Sequence, residues 1–270
     1  MKGTPTRGRY SPVIIRGTKL GLPTGKDLME DEEAALKSLP RGTDLPYDDG
    51  EPMESPWHRN EMYLLIDSLA THWKVRDDVF IGGNMFVYFS DRQEFNRDFR
   101  GPDFFVVNGG VERHKKRVSW VAWEEGGRLP DLIIELVSPT TAKIDRGEKL
   151  KLYTKRFRVR EYFCYDPATE KLQGWRRGSN DKTEPIEQEA DGSMWSEELG
   201  LYLGLWDGVY LDHSGCWMRF FKPDDKLVLT DGESESAARR RAEAKAEAAE
   251  AELKRVKREL AALRKKRKNT

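Results

Sequence analysis

Cysteine is scarce in this 270-residue chain: Cys164 and Cys216 are the only two, they lack CxxC spacing, and the four histidines are scattered. These shortages exclude a disulfide-stapled secreted scaffold and a Cys/His zinc site, and leave a reducing cytoplasm as the expected setting. Long apolar runs are missing as well. No stretch approaches the roughly eighteen apolar residues that a membrane span requires, and the N-terminal MKGTPTRGRYSPVIIRG has no apolar h-region. A soluble protein without a membrane partner is expected. The chain also lacks GxGxxG, a Walker loop and GxSxG, the signatures of several common small-molecule enzymes. Net charge is absent too, with 47 basic against 47 acidic residues, but the balance hides polarity. From Glu233 onward there are 13 basic and 7 acidic residues, so the part before carries an acidic excess of 6.

What the chain does have is concentrated between Pro130 and Tyr153, PDLIIELVSPTTAKIDRGEKLKLY. Leu132, Ile133, Ile134, Leu136 and Val137 form a short apolar run rich in β-branched residues, the pattern of a central strand covered on both faces. Glu135 interrupts it. A carboxylate there is costly to bury without compensation, so it sits at the mouth of the sheet or holds a cation. Ser138, Pro139 and Thr140 stop the strand, and the stretch from Ala142 to Lys155 carries helix formers interrupted by Gly147. Asp145, Lys149 and Tyr153 recur every four residues and share one helical face.

Around this centre the chain divides into three parts. Residues 1–55 mix Gly, Pro, Thr and charges with little periodicity apart from a short helical pattern at 28–39, and read as a partly disordered extension. Residues 56–230 hold the core domain. Met62, Leu65, Ile66, Leu69 and Trp73 repeat at helical spacing and predict a first core helix of about sixteen residues. Strands are predicted for Val79 to Phe89 with a bend at Gly82 and Gly83, for Phe104 to Val107, for Glu161 to Tyr165, and for its hairpin partner Lys171 to Arg176. VSWVAWEE reads as a hairpin arm of the sheet, and 180–230 as short strands of an accessory sheet. This order of elements predicts an α/β fold with a mixed sheet. Residues 233–270 contain no aromatic residue, Gly or Pro and predict one charged helix. Ala242, Ala246, Ala249, Leu253, Val256, Leu260 and Leu263 alternate four and three apart, the seam of a coiled coil, so a homodimer through this helix is expected. Its final RKKRK either complements the helix dipole or touches nucleic acid.

Two acids enter at strand edges, Asp103 in GPDFFVV and Glu135 in DLIIELV. If adjacent strands bring them together, their carboxylates repel unless a divalent cation lies between them, and hard oxygens suit Mg2+ or Mn2+. The backbone carbonyl of Leu136 is a third candidate ligand. Such an ion supports phosphodiester hydrolysis by lowering the pKa of a bound water and neutralising developing charge. The competing reading makes Asp103 a turn or cap and Glu135 a salt-bridge partner. Asp131, in a second PD pair, starts the strand that carries Glu135; at about 3.3 Å per residue it lies more than ten ångströms away and reads as a strand-entry residue.

The strings RGPDFF, PDLIIELVSPTTAKIDRGEKLKLY, VREYFCYDP and LGLYLGL resemble the Uma-type family of restriction-endonuclease-like proteins, within the PD-(D/E)xK nuclease superfamily. The resemblance runs from about Met53 to Thr230 and continues into the charged C-terminal helix. It implies a restriction-endonuclease-like αβββαβ core, accessory β-strands, and a Mg2+-dependent endonuclease acting on DNA, with Asp103 and Glu135 as catalytic metal ligands. The chain departs from the superfamily pattern at Val137, where a lysine is usual. Lys149 is the substitute favoured by its place in DRGEKLKLY, with Lys143 and Lys151 as weaker rivals and an ion pair with Asp145 as its alternative role. His58 matches a histidine at the start of the first helix of many relatives, and Glu61 is a further candidate outer ligand or base. The alternative function is a catalytically inactive nucleic-acid-binding or scaffold protein of the same fold, dimerising through its C-terminal helix.

Overall fold

A computed structural model describes residues 37, 39–47, 55–90, 101–137, 147 and 149–268, apart from the side chains of 261–263 and 265–268. Most of the expected N-terminal extension, the hydroxyl caps after Val137, Lys143, Asp145 and the side chain of Leu263 therefore lie outside the described residues.

The first helix, α1 (Pro56–His72), starts as its sequence dictates: Ser55 accepts a hydrogen bond from His58 N at 3.1 Å, and Pro56 occupies the first turn. Its opposite end is held by Arg113, whose guanidinium donates to the carbonyls of Ala70 (3.1 Å), Trp73 and Arg76 (2.7 Å), a cation at the negative end of the helix dipole. After α1 come β1 (Phe80–Gly82), β2 (Val87–Tyr88), β3 (Phe104–Val107), β4 (Trp120–Val121) and β5 (Leu132–Leu136). Then α2 (Leu150–Leu152) widens directly into a π-type turn, Tyr153–Phe157. The remaining elements are β6 (Glu161–Asp166), β7 (Lys171–Arg177), β8 (Thr183–Pro185), β9 (Met194–Ser196), β10 (Leu201–Tyr210), β11 (His213–Phe221) and α3 (Asp231–Lys268).

Six strands form the main sheet in the order β1-β3-β5-β6-β7-β8, with β5 and β6 parallel and the other neighbours antiparallel. β9, β10 and β11 form a separate three-stranded sheet. At its central strands β3, β5 and β6 both faces of the main sheet are buried, which explains the nearly continuous apolar run of β5. Phe104, Val106, Leu132, Ile134 and Leu136 pack with Met62, Leu65 and Leu69 of α1 and with Leu203, Met218 and Phe220 of the accessory sheet. Their neighbours in sequence, Phe105, Val107, Ile133 and Val137, pack with Tyr153, Phe157 and Tyr162 on the other face.

Three local expectations differ. The stretch from Val79 to Phe89 divides into β1 and β2, and β2 leaves the main sheet to pair in parallel with β4. VSWVAWEE is therefore no hairpin arm: two of its residues form β4 and the next three form a 3-10 turn, Ala122–Glu124. β8, predicted as an accessory strand, instead extends the main sheet beside β7.

Candidate active site

β3 and β5 run antiparallel with Phe104 opposite Ile134, so Asp103, one residue before β3, faces Glu135 within β5. Directly opposed side chains share a face of a sheet. The entry of β3 is closed tightly against α1 because residue 83 is glycine. A Cβ there would lie 2.6 Å from Ile66 Cδ1 and 3.1 Å from the Asp103 carbonyl oxygen. Asn84 N donates to that same carbonyl at 3.2 Å.

Each oxygen of Asp103 is held. His58 Nε2 lies 2.8 Å from Oδ1, and Leu136 N donates to Oδ2 at 2.7 Å. His58 stands in the first turn of α1, so the carboxylate also lies near the positive end of that helix. Burial pushes the Asp103 carboxyl up, but the hydrogen bond and charge of His58, the Lys149 ammonium and a hydrogen bond shared with Glu135 more than offset this. Its pKa consequently lies below the usual carboxylate value. Glu135 is fully buried and accepts from Lys149 Nζ at 3.0 Å through Oε2. Lys149 itself is 27 % exposed, so its ammonium bridges a buried carboxylate and the solvent side of the site. Val137 contributes no polar atom here: it is 2 % exposed and packed among Val87, Phe105, Ile133 and Tyr153.

Among the candidates, Asp103, Glu135, Lys149 and His58 are brought together. Glu61 is not. It is fully buried on another side of α1, where Oε2 accepts from Met218 N of β11 at 3.3 Å and Oε1 has no hydrogen-bond partner among the described residues. Burial raises its pKa well above the usual carboxylate value, against the lowering influence of that backbone hydrogen bond and of Arg219. Lys151 is exposed. Asp131 lies at the opposite end of β5, where Oδ2 accepts from Asn108 N at 2.8 Å and Arg128 and Arg160 each approach to 3.8 Å. Cys164, which the sequence reading passed over, stands beside Glu135 on β6 as a buried thiol. Nothing in its local sequence marks it.

The donor set fits a hard divalent cation. Two carboxylates within hydrogen-bonding reach of each other project from rigid adjacent strands, and their mutual repulsion when both are ionised is relieved by such an ion. Among the described residues no group of three or more His, Cys, Asp or Glu side chains is placed to bind a metal. An ion at this place would rely on two carboxylates completed by a backbone carbonyl and water, the pattern of a cation that keeps much of its hydration.

An αβββαβ core with an acid pair opposed on neighbouring strands defines a restriction-endonuclease-like α/β protein. The family model that matches, Uma2, described as "Putative restriction endonuclease", spans residues 31–212, more than half of the chain, and the protein belongs to that family. A solved structure from Anabaena variabilis, described as "a putative nuclease belonging to DUF820", is 16 % identical, with 62 % of this chain and 89 % of that chain covered and a TM-score of 0.39. No curated protein matches the chain. Among the described residues no helix is long and apolar enough to cross a membrane.

Proposed function

We propose that the protein is a Mg2+- or Mn2+-dependent DNA endonuclease that hydrolyses phosphodiester bonds with Asp103, Glu135 and Lys149. The observation that carries this reading is the 3.0 Å contact of Lys149 Nζ with Glu135 beside Asp103, which assembles an acid pair and a cation despite Val137. Asp103, Glu135 and the Leu136 carbonyl would hold the ion, which when bound lowers the pKa of a water and offsets charge on the phosphate. The chain's own groups have separable tasks. Glu135 fixes the Lys149 ammonium, which would orient the attacking water and stabilise negative charge developing on a phosphate oxygen. His58 Nε2 and Leu136 N lock Asp103, so its carboxylate needs no reorganisation during the reaction.

A second reading, a DNA-binding scaffold without catalysis, is favoured by one observation: the superfamily's lysine position is an apolar core residue, Val137. A supercoiled-plasmid nicking assay with Mg2+ or Mn2+ separates the two. The endonuclease reading expects nicking by the wild type that Asp103→Asn and Glu135→Gln each abolish. Absence of nicking by the folded wild type with either ion leaves the scaffold. In both readings α3 joins two copies of the chain, since Leu253, Val256 and Leu260 are 51 %, 47 % and 47 % exposed at heptad spacing along a helix of 38 residues.

A further inference from the structure

The segment that delivers Lys149 has a second face. Residues 149–160, KLKLYTKRFRVR, contain six basic residues and no acidic one. Tyr153, Thr154, Phe157 and Val159 are buried, while Lys151, Lys155, Arg156 and Arg158 are exposed. The buried face is anchored by aromatic contacts: the Tyr153 ring lies 5.2 Å from Phe157 and 5.6 Å from Tyr162, centroid to centroid. The cations thus project from a fixed support and not from a loose tail. Such a π-type widening inside a helix is uncommon and recurs at functional sites.

Acidic residues follow later in the chain, and two of them, Asp181 and Glu198, pair with Arg158 and Arg160. Residues 181–198 hold seven acids and one lysine, and a cleft of about 390 Å³ beside β8 is lined by Glu184, Glu187 and Glu189. A polyanion is therefore repelled from that cleft and attracted to the exposed cations of 149–160. Arg158 is tied to Asp181 at 2.8 Å, and both side chains are more than half exposed, so the pair is weak and does not cancel the patch.

We propose that Lys151, Lys155 and Arg156 form a backbone-tracking surface that grips the DNA strand next to the scissile phosphate. It rests on the endonuclease reading and deepens it by assigning where the substrate lies. The spacing suits this partner. Lys151 and Lys155 are four residues apart, about 6 Å at about 1.5 Å per helical residue, and successive phosphates of one strand advance about 3.4 Å along a duplex. The pair thus spans about two phosphates, leading away from Lys149 at the start of the same segment. Side chains of this kind neutralise phosphates without reading bases, so the surface gives affinity and register and no sequence preference.

The test is fluorescence anisotropy of a labelled DNA duplex with the full chain in EDTA, over a salt series, so that binding is read without cleavage. Each phosphate contact contributes about 0.9 to the slope of log affinity against log salt. Lys151→Gln/Lys155→Gln should lower that slope by nearly two and weaken binding at low salt by tenfold or more. Lys182→Gln/Lys226→Gln, the same charge change at other exposed lysines, should leave the slope unaltered. Thermal melts of both variants should match the wild type. In plasmid nicking, the Lys151/Lys155 variant should raise KM and keep kcat. An unchanged slope in that variant, or an equal fall in both pairs, overturns the proposed surface even if the wild type nicks DNA. Conversely, a slope lost only at Lys151 and Lys155 in a protein that never nicks sustains the surface and removes the endonuclease.

Discussion

Lys149 Nζ lies 3.0 Å from Glu135 Oε2, which places a helix-borne cation beside the strand-borne carboxylate that it follows by fourteen residues. The side chain two positions after Glu135, where a strand lysine would stand, is Val137 in the apolar core. The two facts are complementary. α2 and its π-type turn press Tyr153 and Phe157 onto the face shared by Ile133 and Val137, and that packing carries Lys149 over Glu135.

Lys149→Met should therefore keep the fold and lower plasmid nicking by about a hundredfold or more, the scale of losing one preorganised donor at a site of charge development. Lys151→Met should keep its turnover at saturating DNA, because its side chain is exposed and the contact to the buried acid pair is made by Lys149. Rates are to be read beside thermal melts of each variant. Wild-type nicking by Lys149→Met would remove the lysine from the mechanism.

The sequence showed the core well because its elements are strongly periodic or strongly apolar. Pro56–His72, Phe104–Val107, Leu132–Leu136 and Lys171–Arg177 stand within a residue or two of their expected places. The acid pair was legible for a similar reason: a lone carboxylate in LIIEL is conspicuous. Positions settled by tertiary packing were not legible. VSWVAWEE has strand composition, but β4 pairs with β2, more than thirty residues earlier in the chain, and local periodicity does not encode a partner at that distance. Glu61 and His58 are three residues apart on α1 and looked equivalent. The accessory strand β11 separates them by claiming Glu61 through Met218 N.

A divalent ion at the acid pair makes a prediction independent of cleavage. Calorimetric titration of Mn2+ should show binding that Asp103→Asn and Glu135→Gln each abolish and Asp131→Asn preserves, because Asp131 serves Asn108 N at the far end of β5. Asp131→Asn should instead lower thermal stability. Loss of binding in all three would point to general destabilisation, and full binding in Glu135→Gln would move the ion off β5.

The buried Glu61 predicts a pH-dependent stability of definite sign. Its carboxyl pKa is raised in the folded protein by burial, so the folded state binds its proton more tightly than the unfolded chain. That contribution is complete below the unfolded value, about 4.3 for Glu, and declines as pH rises through the raised folded value. Glu61→Gln should match the wild type near the low end of this window and become progressively more stable than it toward neutral pH. Melting temperatures measured across the window decide. A constant gap at every pH would show that Glu61 does not titrate between the two values.

Arg219 ties the first turn of α3 to β11. Arg219 is fully buried on β11, donates to Val228 O at 3.0 Å, and forms a two-pronged pair with Glu233 at 2.7 and 3.1 Å. Glu233 also closes a reciprocal cap with Thr230: Thr230 N donates to its carboxylate at 2.8 Å, and Glu233 N donates to Thr230 Oγ1 at 3.2 Å. A chain ending at Thr230 would strip this partner from a buried guanidinium, a loss on the order of 3 kcal/mol or more. Removing α3 there to test dimerisation would confuse unfolding with dissociation. The dimer is better tested in the full chain by Leu253→Asp/Leu260→Asp, which places charges on the heptad seam and leaves Glu233 in position. Sedimentation should show a dimeric wild type and a monomeric variant with the same melting temperature for the core, while Glu233→Ala should lower that temperature without making the protein monomeric. A monomeric wild type at micromolar concentration would show that α3 stands alone and that its apolar seam serves another partner.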